Sequence, residues 1–305
     1  MISTAEFDAF GPWIDEVRTV DDLPRLYRDA GIDPAACRLV LKVPRNIERR
    51  NAHPGMHLYD HLIALDDETL TVLRRQDDAY ETIRVPLDRI AALADSTRLL
   101  DGRLTVHLVD APAVVVPYNG SAGAPVQRLI GLLRESYLPE SPPAAGSPPA
   151  AGSPPAAGSP LAAGEPGPAA APGLGREDTG LLNDYDDLVR QEPRMRLLNV
   201  GSRQVVTPAS AWERLYRKAR PLHLQAGIAV TDEREIVLVH RREWFTRDAD
   251  DISMARTVLP CARIDEVVTR PHERYLGVDV IAVRSGSTRL EFPIAASASG
   301  SDRRL

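Results

Sequence analysis

Cysteine is scarce in this 305-residue chain: Cys37 and Cys261 are the only two, one in each half. Two thiols so far apart make no disulfide framework and no CxxC metal site, and such usage fits a reducing cytoplasm. Lysine is nearly absent, with Lys42 and Lys218 the only lysines among 37 Lys and Arg side chains. We read that as compositional bias rather than selection for bidentate anion contacts. Aromatic residues make up 5% of the chain, so its cores must be built mainly from Leu, Val, Ile and Ala. No apolar run approaches the ~18 residues that a membrane span needs. The opening "MISTAEFDAFGPWIDEV" lacks the positive start and apolar centre of a signal peptide. These absences predict a soluble, cytoplasmic protein.

An excess of positive charge is missing too. Residues 1–138 carry 16 cationic and 21 acidic side chains (−5), residues 174–305 carry 21 and 20 (+1), and Glu140 with Glu165 completes the net −6. Neither half has the basic surplus of a sequence-independent nucleic-acid binder. GxSxG, HExxH, P-loop and GxGxxG signatures are all lacking. The frequent acidic pairs, such as Asp66-Asp67 and Asp77-Asp78, fall at expected turns, where Asp is favoured for local hydrogen bonding. The expectation is a protein with no catalytic residues and no cofactor.

What the chain does have is a repeat. Ser141 to Pro160 reads SPPAAGSPPAAGSPPAAGSP, and residues 139–176 as a whole are Pro, Ala, Gly and Ser with almost no charge. Such a segment buries too little surface to offset its ordering entropy, which predicts a disordered tether. Fully extended, it would reach at most roughly 115 Å. A tether of that length leaves the relative geometry of the flanking segments open.

Before the tether, residues 1–37 read as a lead-in of two short helices, the second ending at Gly31. From Arg38 the period becomes that of strands: RLVLKVP, LYDHLIAL, TLTVLRR, YETIRVPL, GRLTVHLVD and AVVVPYNG, with DRIAALAD between the fourth and fifth. After Ser121, a candidate N-cap, Val126, Leu129, Ile130, Leu133 and Tyr137 form one apolar helical stripe. Residues 38–138 are thus about seven short strands closed by one helix.

After the tether, residues 177–221 read as a helical lead-in, with a cap-plus-Pro start at Thr207-Pro208. Residues 222–305 then repeat the first half. GIAVTDEREIVLVHRR from Gly227 matches LIALDDETLTVLRR from Leu62, with a turn about one residue longer. TVLPCARIDEVV from Thr257 matches IRVPLDRIAAL from Ile83. VDVIAVRSGSTRLEFPI from Val278 matches GRLTVHLVDAPAVVVPY from Gly102. The match places Cys261 where Leu87 sits, as a buried small apolar residue. The second copy ends without a capping helix; TGLLNDYDDLVRQ and SAWERLYRKA are the segments that could stand in for one.

Strands and helix in this order, carried by LIALDDETLTVLRR, IRVPLDRIAAL, GRLTVHLVD and VQRLIGLLRESYL, resemble the small bacterial pleckstrin-homology-like (PH-like) domains. The resemblance covers Tyr59 to Leu138 well and Leu222 to Ile294 less well. It implies a β-rich α+β chain of two small PH-like barrels or orthogonal sandwiches, the first capped by a C-terminal helix. The acid-rich hairpin turns DDET and TDEREI depart from the basic rim of lipid-binding members.

Two clusters are candidate sites. Arg45, Arg49 and Arg50 in one half, and Arg214, Arg217, Lys218 and Arg220 in the other, fall at matching places. They could grip a phosphate, an acidic peptide or anionic lipid, or form a solvated face bridged to Glu48 and Glu213. His57, Asp60 and His61 are weak metal candidates; Pro54-Gly55 breaks the helix that would align the histidines. The leading expectation is a non-enzymatic interaction protein that binds a protein or peptide partner and no nucleic acid. The alternatives are peripheral attachment to an anionic membrane and, last, a metal-dependent enzyme.

Overall fold

The computed structural model describes residues 5–137, 174–217, 221–247 and 251–296. Residues 138–173 of the tether, with Lys218 and Arg220, lie outside the described residues. The protein is β-rich, with several antiparallel sheets and a few helices, and none of the sheets closes into a barrel. Among the described residues no helix is long and apolar enough to cross a membrane.

The first half opens with α1 (Ala5–Ala9) and a sheet ordered β1 (Asp15–Glu16), β2 (Leu39–Pro44), β3 (Tyr59–Leu65), β4 (Thr69–Gln76), β5 (Ala79–Pro86). The chain then turns into β6 (Ile90–Arg98), β7 (Asp101–Leu108) and β8 (Ala111–Asn119), followed by α2 (Gly123–Tyr137). Alternation holds in β7, where Leu104, Val106 and Leu108 are buried. They meet Ile63, Leu65, Leu70, Val72 and Val85 of the first sheet, and α2 adds Val126, Leu129, Ile130 and Leu133 to the same core. Each such side chain stabilises the fold by about 1.5–3 kcal/mol when fully buried.

The outer face of the first sheet, with Val40, Leu62, Ala64 and Leu73, is covered by Phe10, Val17, Leu23 and Tyr27 of the lead-in. That lead-in is not two α-helices. Beyond α1 it is the short strand β1 and three 3₁₀ turns, one ending at Gly31 with φ +72°. Pro24 opens the longest of these turns and Gly31 ends it, and Pro34 starts the next, so each segment is bounded by a residue that punctuates helices. The start of α2 differs as well. Asn119, not Ser121, makes the side-chain turn, its Oδ1 accepting from Ser121 N at 3.1 Å, and the helix begins at Gly123.

The second half repeats the order. After α3 (Thr179–Gln191) come β9 (Arg196–Gly201), α4 (Ala211–Arg217), β10 (Gly227–Thr231), β11 (Glu235–His240) and β12 (Met254–Pro260). A three-stranded sheet follows: β13 (Glu266–Pro271), β14 (Val278–Ser285) and β15 (Thr288–Ala295). Residues 177–221 are therefore not only helical, since β9 lies within them. Thr207-Pro208 is a short strand paired with Tyr275–Leu276, not a helix start. The hairpin turns of the two halves have equal length, three residues each between Leu65 and Thr69 and between Thr231 and Glu235.

The halves do not hang free on their tether. β6 pairs antiparallel with β12, from Leu93 opposite Val258 to Thr97 opposite Met254. One seven-stranded sheet results, ordered β8-β7-β6-β12-β11-β10-β9. Without this pairing each strand would present an open edge of backbone donors and acceptors. A buried clamp ties α2 to the same seam. Arg134 donates Nε to Glu235 Oε1 at 3.0 Å and Nη1 to Glu192 Oε1 at 2.7 Å, and Tyr137 Oη donates to Glu235 Oε2 at 3.3 Å. The Glu235 side chain is fully buried. Nearer the surface, Arg242 Nη1 reaches Asp101 Oδ2 at 2.7 Å and Arg256 Nη2 reaches Asp184 Oδ1 at 2.9 Å.

Removing one partner of a buried pair leaves the other charge uncompensated. Arg134→Met is expected to lower the unfolding free energy by about 3–5 kcal/mol, read from urea denaturation. Adding Glu235→Gln to that variant should recover part of the loss. An unchanged midpoint in the single variant would show that the clamp contributes nothing.

Candidate functional site: an apolar cleft in the second half

Matching hydrogen bonds set the two halves in residue-by-residue correspondence. Asp66 Oδ1 accepts from Glu68 N at 2.9 Å and Thr69 N at 2.7 Å. Asp232 Oδ1 accepts from Arg234 N at 2.9 Å and Glu235 N at 3.0 Å. Leu87 N donates to Glu68 O at 2.8 Å, and Cys261 N to Arg234 O at 2.7 Å. Each of these last two donors starts a 3₁₀ turn, so Cys261 does sit at the place of Leu87. Leu87 is buried and Cys261 half-buried, and burial pushes the Cys261 thiol up.

Strand pairing extends the correspondence and sets β14 one residue later than the sequence match, since Leu104 lies opposite Val116 as Ile281 lies opposite Phe292, and Val106 opposite Leu93 as Val283 opposite Val267. Leu70, Val72, Val85, Leu104, Val106 and Val116 thus become Ile236, Leu238, Leu259, Ile281, Val283 and Phe292. In the first half these residues form the floor on which α2 lies. Leu70, Val72 and Leu104 there are no more than 2% exposed. In the second half no described helix follows β15, and the matching side chains line a cleft of about 270 Å³. Ile236, Leu238 and Ile281 are only half-buried. The lining is apolar apart from a few polar groups, and Asp279 is its one charged residue.

Neither candidate cap closes the cleft. The apolar stripe of α3, Leu181, Tyr185 and Leu188, shares a core with Val230, Val237, Val239 and Val258, which alternate with the cleft residues and so face the other side of the sheet. This is the face that the N-terminal lead-in covers in the first half, and Leu188 of DDLVRQ is buried there as Leu23 of DDLPRL is. α4 packs beside the short Thr207–Pro208 strand.

Trp244 stands at the cleft. Its ring stacks on His240 with centroids 4.5 Å apart and planes 9° from parallel, and meets Phe292 edge-on at 6.2 Å. Gly227 makes room for it, because a Cβ there would lie 3.1 Å from the indole. His240 is held beneath, with Nδ1 2.6 Å from Arg241 O and Nε2 3.0 Å from Thr257 Oγ1. Burial pushes its pKa down to about 4, so the imidazole is neutral at pH 7. The pattern of the sequence did not single out Trp244, Gly227 or His240. The recurrence of the strand pattern was the visible signal of a shared floor, and only the structure sets Trp244 beside it.

The residues singled out from the sequence lie elsewhere. Arg45 Nη1 donates to His57 O at 3.1 Å, and Arg49 donates to Phe10 O and lies 5.1 Å from the Phe7 ring centroid. Arg50 pairs with Glu48 at the surface. Arg214 Nη2 donates to Ala209 O at 3.4 Å. Arg49–Asn51 and α4 both fall between the first and second long strands of their halves; Lys218 and Arg220 lie outside the described residues. His57, Asp60 and His61 do not converge. Asp60 pairs with Arg75 at 2.8 Å, His57 Nδ1 accepts from Arg25 Nε at 3.4 Å, and His61 is buried with Nδ1 unpartnered. No group of three His, Cys, Asp or Glu among the described residues could hold a metal ion. Asp95 is another buried carboxylate, but Tyr118 Oη at 2.7 Å and Gln127 Nε2 at 2.6 Å occupy it.

Comparison with protein families, with curated proteins and with solved structures finds no match for the chain.

His61, like His240, has its pKa pushed down to about 4 by burial. The unfolded chain takes up that proton near pH 6.5 and the folded chain does not. The stability due to neutral His61 is therefore complete above about pH 6.5, declines as the pH falls toward about 4, and changes no further below that. His61→Leu should flatten the decline between these limits by about 3 kcal/mol, measured as unfolding free energy against pH. Parallel curves for the variant and the parent would refute the assignment.

Proposed function

We propose that this chain is a non-enzymatic interaction protein built of two PH-like units, and that the second unit receives a protein segment in its apolar cleft. The observation that carries this reading is the contrast between two matching interiors: one is filled by the chain's own helix, and the other opens its Ile236, Leu238 and Ile281 to solvent. A contiguous apolar surface left open at a concave site is the usual mark of a binding surface. Four strands, then three, then a helix in the first half, and the same order of seven strands among the described residues of the second, support the PH-like resemblance.

The seam between β6 and β12 changes what the pair of units can do. It holds them at one spacing, so a partner meets a rigid surface instead of two independently tethered sites. Anionic-membrane attachment has less support, because Arg45 and Arg49 spend their guanidinium groups on the chain's own carbonyls. The metal-enzyme reading has less support, because Asp60 is paired with Arg75 and His57 accepts from Arg25.

A photo-crosslinking residue placed at Thr269, an exposed position of the cleft lining, should yield a discrete protein adduct in cells. The same residue at Glu81, exposed on the first half, should not. Ile281→Glu should remove the Thr269 adduct. Absence of any protein adduct from Thr269 would overturn the interaction-protein reading.

A further inference from the structure

The cleft also carries a statement about the shape of its occupant. Resting on the reading just given, we infer that the cleft binds an amphipathic α-helix of a partner protein, seated as α2 is seated in the first half. The floor is the same in both halves by hydrogen-bonded correspondence, and in the first half that floor holds a helix. α2 meets it with Val126, Leu129, Ile130 and Leu133, spaced i, i+3, i+4, i+7, none more than 7% exposed. A groove read by such anchors is a recurrent mode of helix recognition.

Size favours side chains over a small ligand swallowed whole. About 270 Å³ falls below the roughly 300–1,000 Å³ of pockets that enclose a drug-sized molecule. It suits the anchors of a helix whose backbone lies across the mouth. Charge adds a second condition. Asp279 is the only charged residue of the lining, so a Lys or Arg beside the apolar stripe of the incoming helix would be complementary. In the first half α2 carries a cation beside its stripe in this way, with Arg128 Nη1 donating to Glu16 Oε2 at 2.7 Å. The chain's own residues 297–305, SASGSDRRL, contain only Ala298 and Leu305 as apolar side chains and cannot supply a stripe of four. The α2 stripe of a second copy is buried in its own half.

The test uses the full chain with Trp13→Phe and Trp212→Phe, both exposed positions, so that Trp244 alone reports. The probes are a synthetic peptide of residues 121–138, and a panel in which its four stripe positions vary among Leu, Ile, Val, Met and Phe. At least one panel member should bind saturably, one to one, with a dissociation constant below about 100 µM, and gain helical circular dichroism. Proline in the middle of that peptide should weaken binding about tenfold or more, since it breaks the helix. Ile281→Glu and, more mildly, Asp279→Lys in the protein should weaken it too. Asp279→Lys leaves the apolar floor unchanged and serves where Ile281→Glu unfolds the second half.

Several outcomes would overturn the helix. A proline variant that binds as well as its parent would point to an extended segment. Dodecanoate that quenches or shifts Trp244 where no peptide does would point to an apolar small molecule. Binding that appears only after residues 297–305 are removed would point to the chain's own terminus. If no panel member binds while Thr269 still crosslinks to a protein, the helix inference fails and the interaction-protein reading stands.

Discussion

The pairing of β6 with β12 is the contact on which the rest of the structure depends. Each of these strands has a neighbour on one side only within its own half. Joined, they satisfy each other's open edge and turn two sheets into one of seven strands. That sheet is the platform on which α2 and α3 share a single core with both halves. Arg134 and its two carboxylates then bolt the end of α2 to the start of β11 and the end of α3. Long-range strand pairing carries an entropy of closure that rises only slowly with the length of chain between the partners.

On this platform one plan of strands serves two ends. In the first half the inward faces of both sheets are filled by the helix that follows the last strand. In the second half the same faces remain a cleft, and α3 has been placed on the opposite side of the sheet. The outer face therefore has a cover in both halves, by a chain of 3₁₀ turns in one and by a helix in the other. Among the described residues only the inner face of the second half is left without one. Trp244, stacked on a neutral His240 and admitted by the missing Cβ of Gly227, gives that face a rigid aromatic wall. A rigid, partly buried aromatic ring is the kind of group on which binding surfaces rely, because it loses little rotamer freedom when a partner arrives.

Much of the local structure was legible along the chain. The alternation of β7, the stripe of α2 and the recurrence of the DDET hairpin in TDEREI follow from side-chain period and turn chemistry, which are properties of neighbours in sequence. The errors have the same root. Thr207-Pro208 carries the chemistry of a helix start, yet a strand partner at Tyr275–Leu276 recruits it. Arg45 and Arg49 look like a free basic patch in one dimension, but the lead-in brings the carbonyl of Phe10 and the ring of Phe7 to Arg49.

By itself the sequence determined that the chain is β-rich and that its halves repeat one order of strands. Periodicity and turn residues act over a few positions and leave a trace that can be read there. Tertiary structure alone decided that the halves share a sheet, that α3 takes the outer face, and that the inner face stays open beside Trp244. Those outcomes rest on which strand edges meet and which apolar faces find covers, and no local pattern records the partner of an edge or a face.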